Sequence, residues 1–366
     1  MKIAIIGTRG IPARYGGFET CVQELSMRLV EKGHEVIVYC RNSNSPDRPK
    51  EFKGVKLIHL PSVRTKIADT FSHTFFSMIH VLFGRVDVIL VFNAANSPLC
   101  VIPKLFGKKI AINVDGLEWK RRKWGKTAQT YYQFAEYLAT KICHQIIADS
   151  KAIQQYYLKR YNTTATFIPY GADIETSSNP NILKEYNLDR DNYFFVVTRL
   201  EPENNPDLTI QAFEQVKTDK KLVIVGGTGY KSRFVQELRR TKDKRIIFMP
   251  PVYEKDHIKE LFCNCYAYVH GNEVGGTNPA LLSALGYGNC VLALNVPFNE
   301  EVVGEAAILY DRSTEDLSPK MQYLVDNPDV VADYRKRAVN RIKKAEYTWE
   351  RVTDGYEELL VSLTAS

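Results

Sequence analysis

Short runs of consecutive apolar residues recur along the chain, and between them lie longer stretches whose apolar positions return every three or four residues. Unbroken apolar runs bounded by Gly, Pro or Asn read as strands buried on both faces, and the 3.6-residue period reads as amphipathic helix. In the first half this grammar predicts strands at 2–7, 35–40, 55–60, 86–92, 109–114, 145–150 and 165–169, with helices at 17–32, 72–84, 127–143 and 151–161. The pattern then starts again. Strands are predicted at 193–198, 221–225, 245–249, 266–270, 290–294 and 307–310, with helices at 207–216, 232–241, 254–263 and 278–286. A charged helical tail runs from 328 to the end.

Buried strands alternating with helices make a parallel sheet covered on both faces. Two such sets, joined by the polar stretch 173–192, make two doubly wound α/β domains. The expected boundaries are 1–175 for an acceptor-side domain, 176–345 for a nucleotide-sugar-binding domain, and 346–366 for a C-terminal helix that packs back on the first. Ligands of such folds sit beyond the carboxyl ends of the strands, which places the expected site in a cleft between facing domains.

A length of 366 residues suits two cores rather than one, and 45% hydrophobic with 25% charged residues is a globular balance. The seven cysteines contain no CxxC pair, and most lie in apolar runs. They read as reduced thiols, which excludes a disulfide framework or a zinc site. No apolar leader opens the chain and no apolar run approaches a membrane span; the longest candidate, 71–83, is interrupted by Ser72, His73, Thr74, Ser77 and His80. The expected location is therefore cytoplasmic, with peripheral attachment to the inner face of the cell membrane. Residues 1–175 hold 25 Lys and Arg against 14 Asp and Glu, while the remainder hold 24 against 28. A basic first half favours an anionic surface or substrate. The basic stretches are short and no RNA-binding module is visible, so nucleic acid is not an expected partner.

Candidate chemistry collects where strands end. The first strand runs into Gly7-Thr8-Arg9-Gly10-Ile11-Pro12-Ala13-Arg14-Tyr15-Gly16-Gly17. This is not the GxGxxG spacing of a dinucleotide site, but glycines before a helix let backbone amides approach an anion. Arg199, just past the strand at 193–198, can fork onto a diphosphate. The strand at 221–225 closes with Gly226-Gly227-Thr228-Gly229, where backbone can approach a ligand. The segment His270-Gly271-Asn272-Glu273-Val274-Gly275-Gly276-Thr277-Asn278-Pro279 delivers a carboxylate to a strand end, then a glycine turn, then a helix start. That carboxylate can accept hydrogen bonds from sugar hydroxyls, and the amides at the helix start can hold phosphate while Thr277 or Asn278 caps the helix. Asp115-Gly116-Leu117-Glu118-Trp119-Lys120-Arg121-Arg122-Lys123-Trp124 follows another strand. Asp115 is placed to orient an acceptor hydroxyl, and the four bases between two tryptophans suit a lipid pyrophosphate or anionic headgroups.

At these residues the chain resembles glycosyltransferase family 4, the retaining GT-B enzymes. The resemblance runs over nearly the whole length through Gly16-Gly17, 146–150, Ile168-Pro169-Tyr170-Gly171-Ala172-Asp173, Thr198-Arg199-Leu200, Val225-Gly226-Gly227 and the Glu273 segment. Thr8-Arg9-Gly10-Ile11-Pro12, Glu201-Pro202-Glu203-Asn204-Asn205 and Gly275-Gly276-Thr277-Asn278-Pro279 look like bacterial rhamnosyltransferases of capsule or rhamnose-polysaccharide synthesis. The resemblance implies transfer of a sugar, rhamnose from dTDP-rhamnose, to a lipid-linked saccharide acceptor. It implies donor contacts from Gly16, Gly17, Arg199, Asn204, Gly227, Val252, Tyr253, Glu273, Gly275, Gly276, Thr277, Asn278 and Ser283. Acceptor contacts fall to Arg14, Asp115, Glu118, Trp119 and Lys120, and catalysis to Glu273, Arg199 and Asp115. Many members carry Lys where this chain has Asn204, and an acidic residue where the best alignment puts Ser283, which leaves the nucleoside open. The acceptor hydroxyl attacks on the face the nucleotide leaves, so no protein nucleophile is needed. No DxD pair lies beside the phosphate loops, and neither a metal nor a cofactor is expected. The alternatives are a UDP- or GDP-sugar transferase, a sugar-nucleotide epimerase of GT-B shape, and a non-catalytic relative that binds nucleotide sugar.

Overall fold

The computed structural model describes residues 1–13, 16–44, 47–63, 65, 68–121, 124–228, 232–344 and 347–365. The chain divides into two compact units, Met1–Gly171 with Trp349–Ser366, and Ala172–Thr348.

The first unit is built on an eight-stranded sheet. Its strands are β1 (Lys2–Ile6), β2 (Glu35–Arg41), β3 (Glu51–Phe52), β4 (Val55–Leu60), β5 (Val88–Phe92), β6 (Lys109–Asn113), β7 (Gln145–Ala148) and β8 (Thr166–Phe167), in the order β3-β4-β2-β1-β5-β6-β7-β8. All pair in parallel except the β3–β4 hairpin. Strand β3, only two residues long, has no counterpart among the strands read from the sequence. The central strands β1 and β5 are almost wholly buried, as expected of strands packed on both faces. The helix Trp349–Ala365 completes this unit. Trp349, Val352, Tyr356, Leu360 and Leu363 are buried, Asn113 Nδ2 donates to Tyr356 Oη at 2.8 Å, and Arg28 stands over the Trp349 ring at 5.6 Å.

The second unit carries a six-stranded, all-parallel sheet. Its strands are β9 (Tyr193–Val197), β10 (Lys221–Val225), β11 (Ile246–Met249), β12 (Ala267–His270), β13 (Val291–Leu294) and β14 (Ile308–Tyr310), in the order β11-β10-β9-β12-β13-β14. Phe194, Phe213, Val269, Leu292, Tyr310 and Leu324 sit in its core. The order runs outward from β9 in one direction and from β12 in the other, so the β9–β12 pair is the topological switch point.

The helical tail from 328 comprises two helices, Pro328–Lys344 and Trp349–Ala365, close to the expected C-terminal helix at 346–366. Between them the backbone extends: Ala172 N–H donates to Tyr347 O at 2.8 Å and Ala172 bridges Thr348. Part of the polar stretch at 173–192 is pinned. Buried Glu260 accepts hydrogen bonds from Ser178 N at 2.7 Å, Asn179 N at 2.8 Å and Asn264 Nδ2 at 2.9 Å, and from the Ser177 hydroxyl. Burial alone would raise its carboxyl, but these donors hold it below the usual range. Among the described residues no helix is long and apolar enough to cross a membrane.

Candidate functional site

In the second unit the candidate residues line up along the carboxyl edge of one sheet. Val252 and Tyr253 follow β11, Gly226 and Gly227 follow β10, Arg199 follows β9, and Glu273 follows β12. Adjacent strands lie about 4.8 Å apart, so the strand order alone sets these groups out at regular intervals. Arg199 and Glu273 flank the switch point.

Arg199 is half-buried, and its guanidinium makes no hydrogen bond or ion pair with a described residue. Its backbone is fixed instead. Asn204 Nδ2 donates to Arg199 O at 2.8 Å, and Glu201 N–H donates to the same oxygen at 2.8 Å. Gly226 lets the backbone after β10 run against Thr198, because a Cβ there would lie 1.8 Å from Thr198 O. Asn204 itself is 3% exposed. It braces the arginine loop from inside through one N–H of its amide.

The loop after β12 is held from three sides. Asn205 Nδ2 donates to Gly271 O at 2.8 Å, Asn299 Nδ2 to Asn272 O at 3.1 Å, and Glu273 N–H to Glu203 O at 3.0 Å. Arg312, two residues past β14, places its Nε 2.6 Å from Glu273 Oε1 and donates from it to Asn205 Oδ1 at 2.9 Å. This residue escaped the sequence reading, although the rule that singled out Arg199, a base just past a strand end, applies to it equally. Gly276 and Thr277 are buried and Gly275 is half-buried. The helix Pro279–Gly286 follows, with Asn278 Oδ1 accepting from Ala280 N–H at 2.9 Å as its cap. Ser283 is half-buried on that helix, Val252 is half-buried, and Tyr253 is 56% exposed. His270, at the end of β12, is 1% exposed, and burial lowers its pKa to about 3, so the ring is neutral.

In the first unit, the turn after β1 is tied back by the helix Gly17–Glu31. Glu19 accepts from Arg9 N–H at 3.0 Å, and Gln23 accepts from Ala13 N–H at 2.8 Å. Burial raises the Glu19 carboxyl, against the Arg9 backbone donor. Gly10 has φ +102, and a Cβ on it would lie 2.5 Å from Cys40 Sγ. Packing thus accounts for this glycine of the expected anion loop. Gly16, at φ +86, directly precedes the helix, and Gly17 opens it.

Asp115 follows β6 in the left-handed region at φ +62, with its N–H donating to Asn113 Oδ1 at 3.0 Å. The Glu118 carboxylate is bound to Arg121 Nε and accepts from Trp124 Nε1 at 3.3 Å. Arg121 is 7% exposed, so the expected run of four free bases is broken. Trp119 is half-buried with Lys120 Nζ 5.6 Å above its ring, and Lys120 is exposed. Arg14, Arg122, Lys123 and Gly229 lie outside the described residues. Among the described residues, no three His, Cys, Asp or Glu side chains group to hold a metal.

Two family models match. Residues 178–345 match Glycosyl transferases group 1, and residues 1–75 with 87–173 match Domain of unknown function (DUF1972). A 61-residue stretch is 39% identical to an uncharacterized 42.6 kDa protein in the cps region of Klebsiella pneumoniae, covering 17% of this chain and 16% of that protein. Among solved structures, sucrose-phosphate synthase from Thermosynechococcus elongatus superposes with TM-score 0.81 at 18% identity, over 100% of this chain and 99% of that one. Anabaena Alr3699/HepE in complex with UDP and glucose superposes with TM-score 0.80 at 15% identity, over 99% and 100%. The chain has the GT-B fold, two Rossmann-like domains, and its second unit carries a group 1 glycosyltransferase domain.

Proposed function

We propose that the chain is a retaining glycosyltransferase that moves rhamnose from dTDP-rhamnose to a lipid-linked saccharide in envelope polysaccharide synthesis, at the cytoplasmic side of the membrane. One observation carries the reading: a half-buried arginine, Arg199, whose guanidinium has no partner among the described residues, and a carboxylate, Glu273, follow the two adjacent strands at the switch point of a parallel sheet. A preorganised cation there stabilises charge as it develops on a departing diphosphate. The Gly275, Gly276 and Thr277 backbone before the helix Pro279–Gly286 adds amide donors for the same phosphates. Glu273 accepts from hydroxyls of the donor sugar. Val252, Tyr253 and Gly227 face the nucleobase, and Ser283 the ribose. Asp115 orients the acceptor hydroxyl, and the leaving phosphate takes its proton. Arg199 supplies the positive charge that a divalent metal supplies elsewhere, so chelator leaves turnover unchanged. The relative encoded in a cps region supports a polysaccharide setting, and the free, mostly buried cysteines suit a reducing compartment.

The second reading, a UDP-hexose donor, is favoured by the UDP and glucose held by the Anabaena neighbour. Thermal-shift screening of dTDP-rhamnose, UDP-glucose and GDP-sugars separates the two, since a ligand that binds only the folded chain raises its melting temperature. The true donor raises it and releases nucleotide diphosphate on turnover, with the anomeric configuration kept in the product. If no sugar nucleotide shifts the melt, or if Glu273→Ala turns over like the parent, the proposal fails.

A further inference from the structure

The helix Ala68–Leu82 is apolar on both faces. His73, Thr74 and Ser77 face inward at 0% exposure beside Met78 and Val81, while Phe71, Phe75, Phe76 and Ile79 face outward, and Phe83 just beyond is 86% exposed. The inward face is not a packing error, because Thr74 Oγ1 donates to Asn96 Oδ1 at 2.9 Å and Ser77 Oγ to His73 O at 2.8 Å. The apolar surface continues onto neighbouring helices. Leu105 and Phe106 are 79% and 67% exposed at the end of the helix Val101–Leu105, and Phe134 is exposed on the helix Lys126–Ile142. The Phe71 and Tyr131 rings lie 6.0 Å apart, and Lys104 Nζ donates to Lys141 O at 2.9 Å, so the three helices share one face. Cations accompany it. Arg85 and Lys104 are exposed and Lys108 and Lys109 half-buried, while the acids of the three helices are engaged, Asp69 by Arg41 and buried Glu136 by Tyr156 and Tyr161, and Asp87 accepts from Lys2 N–H.

We propose that this face docks on an anionic phospholipid surface, with the phenylalanines entering the boundary between headgroups and acyl chains and the lysines meeting lipid phosphates. Contiguous exposed apolar area marks an interaction site, and apolar side chains rimmed by bases match the two parts of an acidic bilayer surface. A second copy fits poorly, because a two-fold contact would set this rim of bases against its own image. The surface differs from the basic run 120–123, where Arg121 is bound to Glu118. The proposal does not depend on the transferase reading; a chain without turnover would still bind.

Cosedimentation of the full chain with phosphatidylcholine–phosphatidylglycerol vesicles, and with phosphatidylcholine alone, tests it. Binding is expected to the mixed vesicles only, and to weaken as salt rises. Phe75→Ser with Phe76→Ser, and separately Arg85→Glu with Lys104→Glu, lower partition by about tenfold or more. Lys120→Glu leaves it unchanged. Melting curves check folding, and Phe83→Ser, at the most exposed position, gives the same readout should the double variant not fold. Failure to bind the mixed vesicles overturns the proposal, as does equal binding by the phenylalanine variants. So does a lipid-free sedimentation coefficient that falls in those variants, since a second copy would then be covering the face.

Discussion

At the scale of single residues, two arginines divide the work at one sheet edge. Arg199 has no described partner to lose, so Arg199→Ala is expected to leave the melting temperature within a degree or two while kcat/KM falls by about 10²–10³, the range for removing one preorganised transition-state donor. Arg312 acts through Glu273 and Asn205, and is a positioning residue. Arg312→Ala is expected to lower kcat about tenfold with a smaller change in donor KM, and Arg312→Lys to restore part of it, because a charge 2.6 Å from Glu273 fixes the carboxylate's orientation. An unchanged kcat in both variants would remove that role. Buried histidines set an acid limit. Burial lowers His270 to about 3, and burial with the nearby Arg41 charge lowers His73 to about 4. The unfolded chain takes up these protons near pH 6.5 and the folded chain only well below it, so stability present above pH 6.5 is lost as pH falls towards 3. Urea midpoints should hold steady from pH 8 to 7 and drop between pH 6.5 and 5.

At the scale of elements, Glu260 shows how a linker becomes structure. Five donors from residues 177–179 and 264 converge on its carboxylate, and Glu260→Ala leaves buried N–H groups unsatisfied. The expected cost is about 3 kcal/mol, read from urea unfolding. None of this was visible in the polar composition of 173–192, because the partner lies some eighty residues away. The strands were legible for a local reason: runs such as Ile3-Ala4-Ile5-Ile6 and Leu222-Val223-Ile224-Val225 admit no polar face, and only a doubly covered strand buries both. Periodicity shows that a helix has two faces but not which one turns inward. The helix Ala68–Leu82 therefore read as ordinary, yet it buries Thr74 with Met78 and Val81 and leaves Phe75 and Phe76 outside, and only the Asn96 side chain beneath it explains why Thr74 is inside. The site divided in the same way. Arg199 and Glu273 were legible because a strand end announces itself locally, whereas the Arg312–Glu273 pair needs β14 two strands from β12, and the burial of Asn204 needs the whole loop folded.

At the scale of the whole molecule, the first unit is completed by the helix Trp349–Ala365, which follows all of Ala172–Thr348 in sequence. That helix buries Trp349, Val352, Tyr356, Leu359, Leu360 and Leu363. At about 1.5–3 kcal/mol for each buried large side chain, its loss removes on the order of 10 kcal/mol, comparable to the stability of an entire domain. A chain ending at Thr348 is therefore expected to keep a cooperative transition from the second unit and to lose the one from the first, resolved by calorimetry of the two lengths. The second unit, contiguous in sequence, has all its parts by Thr348. During synthesis it can close while the first unit still waits for the helix Trp349–Ala365, which leaves the ribosome after every part of the second unit. A nascent chain cut short by even a few turns of that helix thus leaves its earliest-made sheet uncovered, open to the chaperones and proteases that remove unfinished products.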